Sequence, residues 1–338
     1  MISKAPRVCA LGALSAQVWH TPTMRRLTVK RMIDHLTALV SSCLKAFASF
    51  LAGALLTASW GAAEPLSPER VTFVSADSKT TLVGFVFKPA RIAGQHPAIV
   101  LMHGRAGAYS SEAKGIYDSS TLSPRHTAWG RIWAEAGYLA ILVDGFGPRG
   151  YPQGFPRFSY EDRPAALDET MIRPLDAYGT LGYLRSRSDV LPEQIGLMGW
   201  SNGGSAVLVA MAPEWKPSAG GFRAALAFYP GCRLKGRFDN APLRPYAPML
   251  ILHGTDDEEV SHEHCLDLVE ASQASKGALD IRLFDGATHS FDSPTRSRQS
   301  LPPNAYAREE AISAALAFFT THLEGESSPN QHGGKKER

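Results

Sequence analysis

The stretch Gly199-Trp200-Ser201-Asn202-Gly203-Gly204 comes directly after the apolar run Ile195-Gly196-Leu197-Met198. A serine set among glycines at the end of such a run has two readings. It is an ordinary tight turn, for which glycine and serine are common, or it is a sharp strand-to-helix turn that holds a serine hydroxyl above a sheet. The G-x-S-x-G pattern alone does not choose between them, so the decision falls to the residues around it.

Working outward, the chain alternates short β-rich runs with longer amphipathic ones. Residues 80–87 alternate as a half-exposed edge hairpin strand would. Residues 97–102, 138–143, 195–198, 224–229, 249–252 and 281–284 are short runs, the first five continuously apolar, and suit strands of a parallel sheet buried on both faces. Helical patterns lie between them at 129–136, 172–185, 202–211, 263–275 and 305–323. This order predicts one α/β domain over residues 66–324, a mostly parallel central sheet with helices on both faces. The irregular stretches 104–127 and 148–164 lie beyond strand ends, where open α/β sheets bind ligands, and are expected to form the substrate rim.

The flanks differ in composition. Residues 1–63 hold seven Lys/Arg against the single acid Asp34, and a run of about 13 apolar and small residues, 46–58, precedes Gly61-Ala62-Ala63. Basic region, short apolar core and small residues at the end are the order of a secretory signal, and the core is shorter than the roughly 20 residues a membrane span needs. Export with cleavage near Ala63 is expected, to the periplasm or outside the cell, with a retained N-terminal anchor as the alternative. Arg25-Arg26 also admits a twin-arginine signal, and Met24 and Met32 are alternative starts. Without this segment the chain carries 28 basic and 31 acidic residues, a balance that gives no reason to expect a nucleic-acid partner. A cleaved leader leaves no stable membrane partner. Residues 325–338, rich in Ser, Asn, Gly and Lys with no apolar anchor, are expected to be a disordered tail.

A nucleophilic Ser201 needs a base, an acid to orient that base, and donors for an oxyanion. On this kind of sheet they come in the order Ser, Asp/Glu, His, each beyond a strand end. Beyond the run 249–252 come Asp256-Asp257-Glu258-Glu259, and beyond 281–284 comes His289 in Asp285-Gly286-Ala287-Thr288-His289. Each has a plain alternative: a loop histidine is commonly just a surface residue, and acids at a helix start favour its dipole. Order, spacing and position together favour the catalytic reading. The oxyanion donors expected are the backbone N–H groups of Asn202, the residue after the serine, and of Arg105 in the loop His103-Gly104-Arg105-Ala106-Gly107 after an early strand. His103 itself is expected to support that loop. His262-Glu263-His264-Cys265 is no metal site, because residues two apart on a helix diverge, and the proposed chemistry requires neither metal nor organic cofactor.

The stretches LMHGRAG (101–107), DGFGPRG (144–150), GWSNGG (199–204), AFYPGC (227–232), PMLILHGTDD (248–257) and DGATHSFD (285–292) together resemble the dienelactone hydrolase family of α/β-hydrolases, over about residues 70–322. The resemblance implies the α/β-hydrolase fold and a Ser201, Asp257, His289 triad, its register favouring Asp257 over Asp256. The founding members carry cysteine as nucleophile. Serine at 201 therefore implies an ester hydrolase acting on a small-molecule ester, rather than a strictly lactone-specific enzyme. Two alternatives stand beside it: a prolyl-oligopeptidase-like peptidase, which shares the triad order, and a non-catalytic binding protein on the same fold. Trp200 is read either as a pocket wall or as packing under the helix, and the side chains of Arg105 and Arg149 as ligands for a substrate carboxylate. With Cys9 and Cys43 lost with the leader, Cys232 and Cys265 remain, either paired in an oxidising compartment or as two buried free thiols.

Overall fold

The computed structural model describes residues 67–90 and 94–324. The expected leader (1–63) and the expected tail (325–338) lie outside the described residues. Among the described residues eight strands run β1 Glu69–Val74, β2 Thr81–Phe87, β3 His96–Met102, β4 Leu139–Asp144, β5 Val190–Trp200, β6 Ala224–Phe228, β7 Met249–Gly254 and β8 Leu279–Phe284. The helices are α1 Pro124–Glu135, α2 Arg173–Arg185, α3 Asn202–Ala210, α4 Glu263–Ala274, the short α5 Arg296–Gln299 and α6 Pro302–Phe319, which ends in a π-helical turn, Thr320–Glu324. Helix α1 starts earlier than its apolar period indicates, because Ser123 caps it and Pro124, whose missing N–H costs nothing at the first turn, opens it.

The strands form one sheet in the order β1-β2-β4-β3-β5-β6-β7-β8. β1 pairs antiparallel with β2 and β2 antiparallel with β4, while all pairs from β4 to β8 are parallel. This is the mostly parallel α/β-hydrolase architecture. The expectation that 80–87 forms the sheet edge is corrected: β1 covers β2 on its outer side, so β2 is interior and mostly buried.

Successive residues of the central strands enter opposite faces, as the pleat demands. Ala98, Val100 and Met102 of β3 pack with Ala177, Leu181 and Leu184 of α2, Val207 of α3 and Leu268 of α4. Ile99 and Leu101 pack on the other face with Trp129 and Trp133 of α1 and Ala311, Ala315 and Phe319 of α6. Burial on both faces explains why these strands read as continuous apolar runs. The chain adds β4 on one side of β3 and then crosses back to add β5 on the other. The topological switch point therefore lies at the C-terminal ends of β3 and β5, where a crevice opens.

Candidate active site

Ser201 sits at that crevice, between β5 and α3, with φ 51° and ψ −119°. A non-glycine residue at positive φ is strained, and the surroundings hold it there. Its N–H donates to Phe228 O at the end of β6 (2.9 Å) and its carbonyl accepts from Ser205 N–H (2.8 Å). Gly203 is required for the turn: a Cβ there would lie 2.2 Å from Met102 O and 2.5 Å from His103 O, backbone atoms that cannot retreat. Ser201 lines an open cleft of about 430 Å³.

The acid run after β7 divides its labour. Asp256 is exposed. The Asp257 side chain is 1% exposed, and its Oδ2 accepts from His289 Nδ1 at 2.7 Å. Its Oδ1 accepts from the Glu259 and Val260 N–H groups (2.8 and 2.9 Å). Glu258 takes the His289 N–H (2.8 Å) and Arg298 Nη1 (3.1 Å), fixing the loop that carries the ring. Tyr229 packs on the imidazole at 4.6 Å between centroids. His289 Nε2 faces Glu259 Oε2 at 3.7 Å, and Glu259 lines the same cleft as Ser201.

Asn202 occupies the first position of α3, where the N–H has no intrahelical acceptor. The β3 loop comes close beside it: a Cβ on Gly104 would stand 3.1 Å from Trp200 O and 3.4 Å from the Ser201 Cβ. His103 is fully buried and props this loop. Its Nε2 accepts from Gly145 N–H (3.2 Å), so the proton is on Nδ1, which donates to Gly104 O (2.7 Å). Burial holds its pKa well below the ordinary value, with the nearby Arg173 charge acting in the same direction. The Arg105 carbonyl accepts from Phe155 N–H (2.9 Å), fixing the peptide on its C-terminal side.

The profile of the dienelactone hydrolase family matches residues 82–323. The chain belongs to that family. A probable 2-oxo-3-(5-oxofuran-2-ylidene)propanoate lactonase from Bradyrhizobium sp. is 24% identical over 201 residues, covering 57% of this chain and 76% of the relative. Among solved structures, a thermophilic esterase from the Planctomycetes species Thermogutta terrifontis with propionate bound is similar at TM-score 0.52 and 20% identity, over 79% of this chain and 98% of the other. A dienelactone hydrolase-like promiscuous phosphotriesterase from metagenomic libraries gives TM-score 0.54 at 18% identity, over 75% and 98%.

In this dienelactone hydrolase family member two expected substrate contacts fall elsewhere. Arg149 does not reach the cleft: Nη1 and Nη2 both bond Asp176 (2.8 Å each), Nη1 also bonds Gly145 O (2.7 Å), and Nη2 meets Asp77 at 3.3 Å. Its guanidinium is consumed by a structural ion pair that ties the β4 loop to α2 and the β1–β2 turn. Trp200 is not a pocket wall either. It is fully buried in the core on the α1 and α6 face of the sheet, its Nε1 donating to Asp292 Oδ2 at 2.9 Å. Arg105 does line the cleft, but its fork is filled by Glu259, Nε to Oε2 at 3.0 Å and Nη2 to Oε1 at 3.1 Å.

The rim is likewise redistributed. Of the two expected loops, 148–164 supplies Phe158, Tyr160, Glu161 and Arg163, whereas 104–127 supplies Arg105 and otherwise buries Ala108, Tyr109 and Leu122 in the core. In the stretch after β6, Gly231, Arg233, Leu234 and Lys235, of which only Gly231 falls within a quoted motif, complete the wall. Cys232 in that stretch is bonded to Cys265 of α4, so of the two readings for these cysteines the paired one stands. Asp292 is a further residue that sequence reasoning does not find: besides Trp200 it accepts from Trp129 Nε1 (2.8 Å) and Tyr229 Oη (2.5 Å), anchoring the His289 loop from beneath. It lies within one of the quoted motifs, but no spacing rule assigns it a partner.

Proposed function

We propose that this protein hydrolyses carboxylic esters, lactones included, through a covalent acyl-serine intermediate. The observation that carries the reading is Ser201 held at positive φ in a cleft that Glu259 also lines, with Glu259 Oε2 3.7 Å from the Nε2 of His289 in the buried Asp257–His289 pair. His289 Nε2 takes the Ser201 proton as Oγ attacks the carbonyl, and Asp257 steadies the imidazolium through Nδ1. The N–H groups of Asn202 and Arg105 receive the oxyanion. Collapse expels the alcohol, protonated by His289, and a water attacks the acyl-enzyme by the same route. The names of the Bradyrhizobium lactonase and the Thermogutta esterase support this substrate class.

The cleft wall of Phe158, Tyr160, Leu234 and Val260 favours an apolar or aromatic part of the ester. Export is the setting that fits best, supported by the basic-then-apolar order of residues 1–63 and by the Cys232–Cys265 disulfide, a bond that persists in oxidising compartments. The test is labelling by a fluorophosphonate and turnover of p-nitrophenyl esters of graded chain length, beside Ser201→Ala and His289→Ala. Both activities are expected to vanish in both variants; labelling that survives Ser201→Ala would end the reading.

A further inference from the structure

Behind the Ser201 turn lies a charged group for which the mechanism above has no use. Arg173, the first residue of α2, is 0% exposed. Its Nη1 donates to His103 O at 2.7 Å and to Asn202 Oδ1 at 2.9 Å, and neither partner is a carboxylate. Its Nε and Nη2 have no protein partner among the described residues. Burial pulls its pKa down to about 10, against the opposing pull of Asp176 and Glu169. Placing a guanidinium inside a protein with three of its five N–H donors unused costs stability, so its retention calls for a return elsewhere.

The other end of the same carboxamide is held too. Asn202 Nδ2 donates to Glu169 Oε2 at 3.1 Å; Glu169 is 4% exposed, and its Oε1 accepts from Tyr160 Oη. A guanidinium only donates and a carboxylate only accepts, so the amide orientation is forced. Two residues that meet at Nη1 are also the ones whose backbones flank the reacting serine: Asn202 is next to it in the chain, and His103 begins the loop that brings Gly104 and Arg105 beside it.

We propose that Arg173 and Glu169 are positioning residues of the Ser201 site: they grip the Asn202 carboxamide from opposite ends and tie it, through one guanidinium nitrogen, to the His103 carbonyl. This fixes the two peptide N–H groups that receive the oxyanion, and it rests on the hydrolase reading above. Donors held in place need no reorganisation when charge develops, and a fixed cation behind them favours that charge. The contribution belongs to the transition state, so it is read in kcat rather than KM.

The experiment compares wild type, Arg173→Met, Arg173→Lys, Asn202→Ala and the Arg173→Met/Asn202→Ala double variant on one p-nitrophenyl ester, with circular dichroism as the control for folding. Asn202→Ala keeps the backbone N–H and removes only the gripped carboxamide. Each of Arg173→Met and Asn202→Ala is expected to lower kcat roughly 10- to 100-fold, somewhat less than losing an oxyanion donor outright, with KM moving less than about threefold. Arg173→Lys is expected to recover part of the loss, and the double variant to fall no more than about threefold below the worse single one, because both act through one carboxamide. Folded single variants with full kcat, losses that multiply in the double variant, or losses confined to KM would each overturn the assignment. If Arg173→Met does not fold, Asn202→Ala decides alone, and full kcat there ends the proposal. A wild type that neither labels nor turns over esters removes the hydrolase reading itself, and this one with it.

Discussion

Replacing Asp257 by asparagine removes one charge and no volume, and the hydrogen bonds around the carboxylate dictate the consequence. Oδ1 accepts two backbone N–H groups, from Glu259 and Val260, while Oδ2 accepts the His289 Nδ1 proton. An asparagine must choose which end faces which. Turning its NH2 to the two N–H donors leaves both unpaired in a buried site, at roughly 1–3 kcal/mol each. It therefore keeps its oxygen toward them and points NH2 at His289. Nδ1 must then accept, the ring proton moves to Nε2, and Nε2 has no lone pair left for the Ser201 proton. Reaching the productive tautomer costs about 2–6 kcal/mol, which at about 1.4 kcal/mol per decade lowers kcat/KM by roughly 30-fold to 10⁴-fold. The upper end agrees with the loss of about 10⁴ that the same exchange causes in a Ser-His-Asp protease. The assay is kcat/KM on p-nitrophenyl acetate near neutral pH, with urea unfolding as the control. Asp256→Asn, at an exposed side chain, serves as the neighbour variant and is expected to stay within about twofold of wild type. A folded Asp257→Asn that retains more than a tenth of wild-type kcat/KM, or an Asp256→Asn that fails instead, would refute this account of the tautomer.

Three further outcomes are set by the packing. Arg149→Met breaks a buried pair with Asp176, so unfolding free energy should fall by roughly 3–5 kcal/mol while KM for a carboxylate-bearing ester stays unchanged; a raised KM with intact stability would restore Arg149 as a ligand. Reducing the disulfide, which spans 33 residues, should lower the urea-unfolding free energy by roughly 3–4 kcal/mol in the chain-entropy model. Cys232→Ser/Cys265→Ser should match the reduced protein, and identical midpoints with and without reductant would contradict this. His126 is buried against Trp200, and burial lowers its pKa from 6.5 to about 4. With the folded pKa depressed, its contribution is whole above pH 6.5 and is lost as pH falls toward 4, amounting to roughly 3 kcal/mol. Unfolding free energy should accordingly drop between pH 7 and 4.5, and less steeply in His126→Gln; a flat profile in wild type would count against a buried neutral ring.

Whatever depends on near neighbours is legible in the chain itself. Continuous apolar runs mark the buried strands, because both faces of the sheet are covered; β1 escapes notice because its polar, half-exposed run ERVTFV shows little contrast. The Ser201 turn and the Asp257–His289 pair are legible because each sits just beyond a strand end, so chain order is enough to find them. Arg149 misleads for the opposite reason. Its partners Asp176 and Asp77 lie 27 and 72 residues away, and nothing local shows that a loop arginine is already engaged. Trp200 stays ambiguous in the sequence because it is the last residue of β5, and only the completed sheet shows which face it enters. Arg173 and Glu169 carry no signal, since a buried arginine is recognised only by what surrounds it.

The oxyanion donors show where local reading ends and register begins. β3 and β5 lie far apart in sequence, yet Met102 stands opposite Gly199 in the parallel ladder. Beyond those strand ends the β3 loop passes beside the Ser201 turn, a Cβ on Gly104 lying 3.4 Å from the Ser201 Cβ, and Arg105 and Asn202, the two expected N–H donors, follow Gly104 and Ser201 directly in the chain. At the ends of β7 and β8, Gly254 lies opposite Phe284, and Asp257 and His289 come shortly after them in the chain. A one-residue slip in the β3–β5 pairing would invert the face of every side chain in β3 and move the loop by about 3.3 Å, more than the whole margin of a hydrogen bond. Ile99, Val100, Leu101 and Met102, all fully buried with alternate residues committed to opposite cores, forbid that slip. The apolar run that first marked β3 as a strand is thus also what sets the spacing of the site, so that a core substitution forcing β3 to shift should cost turnover before it costs the fold.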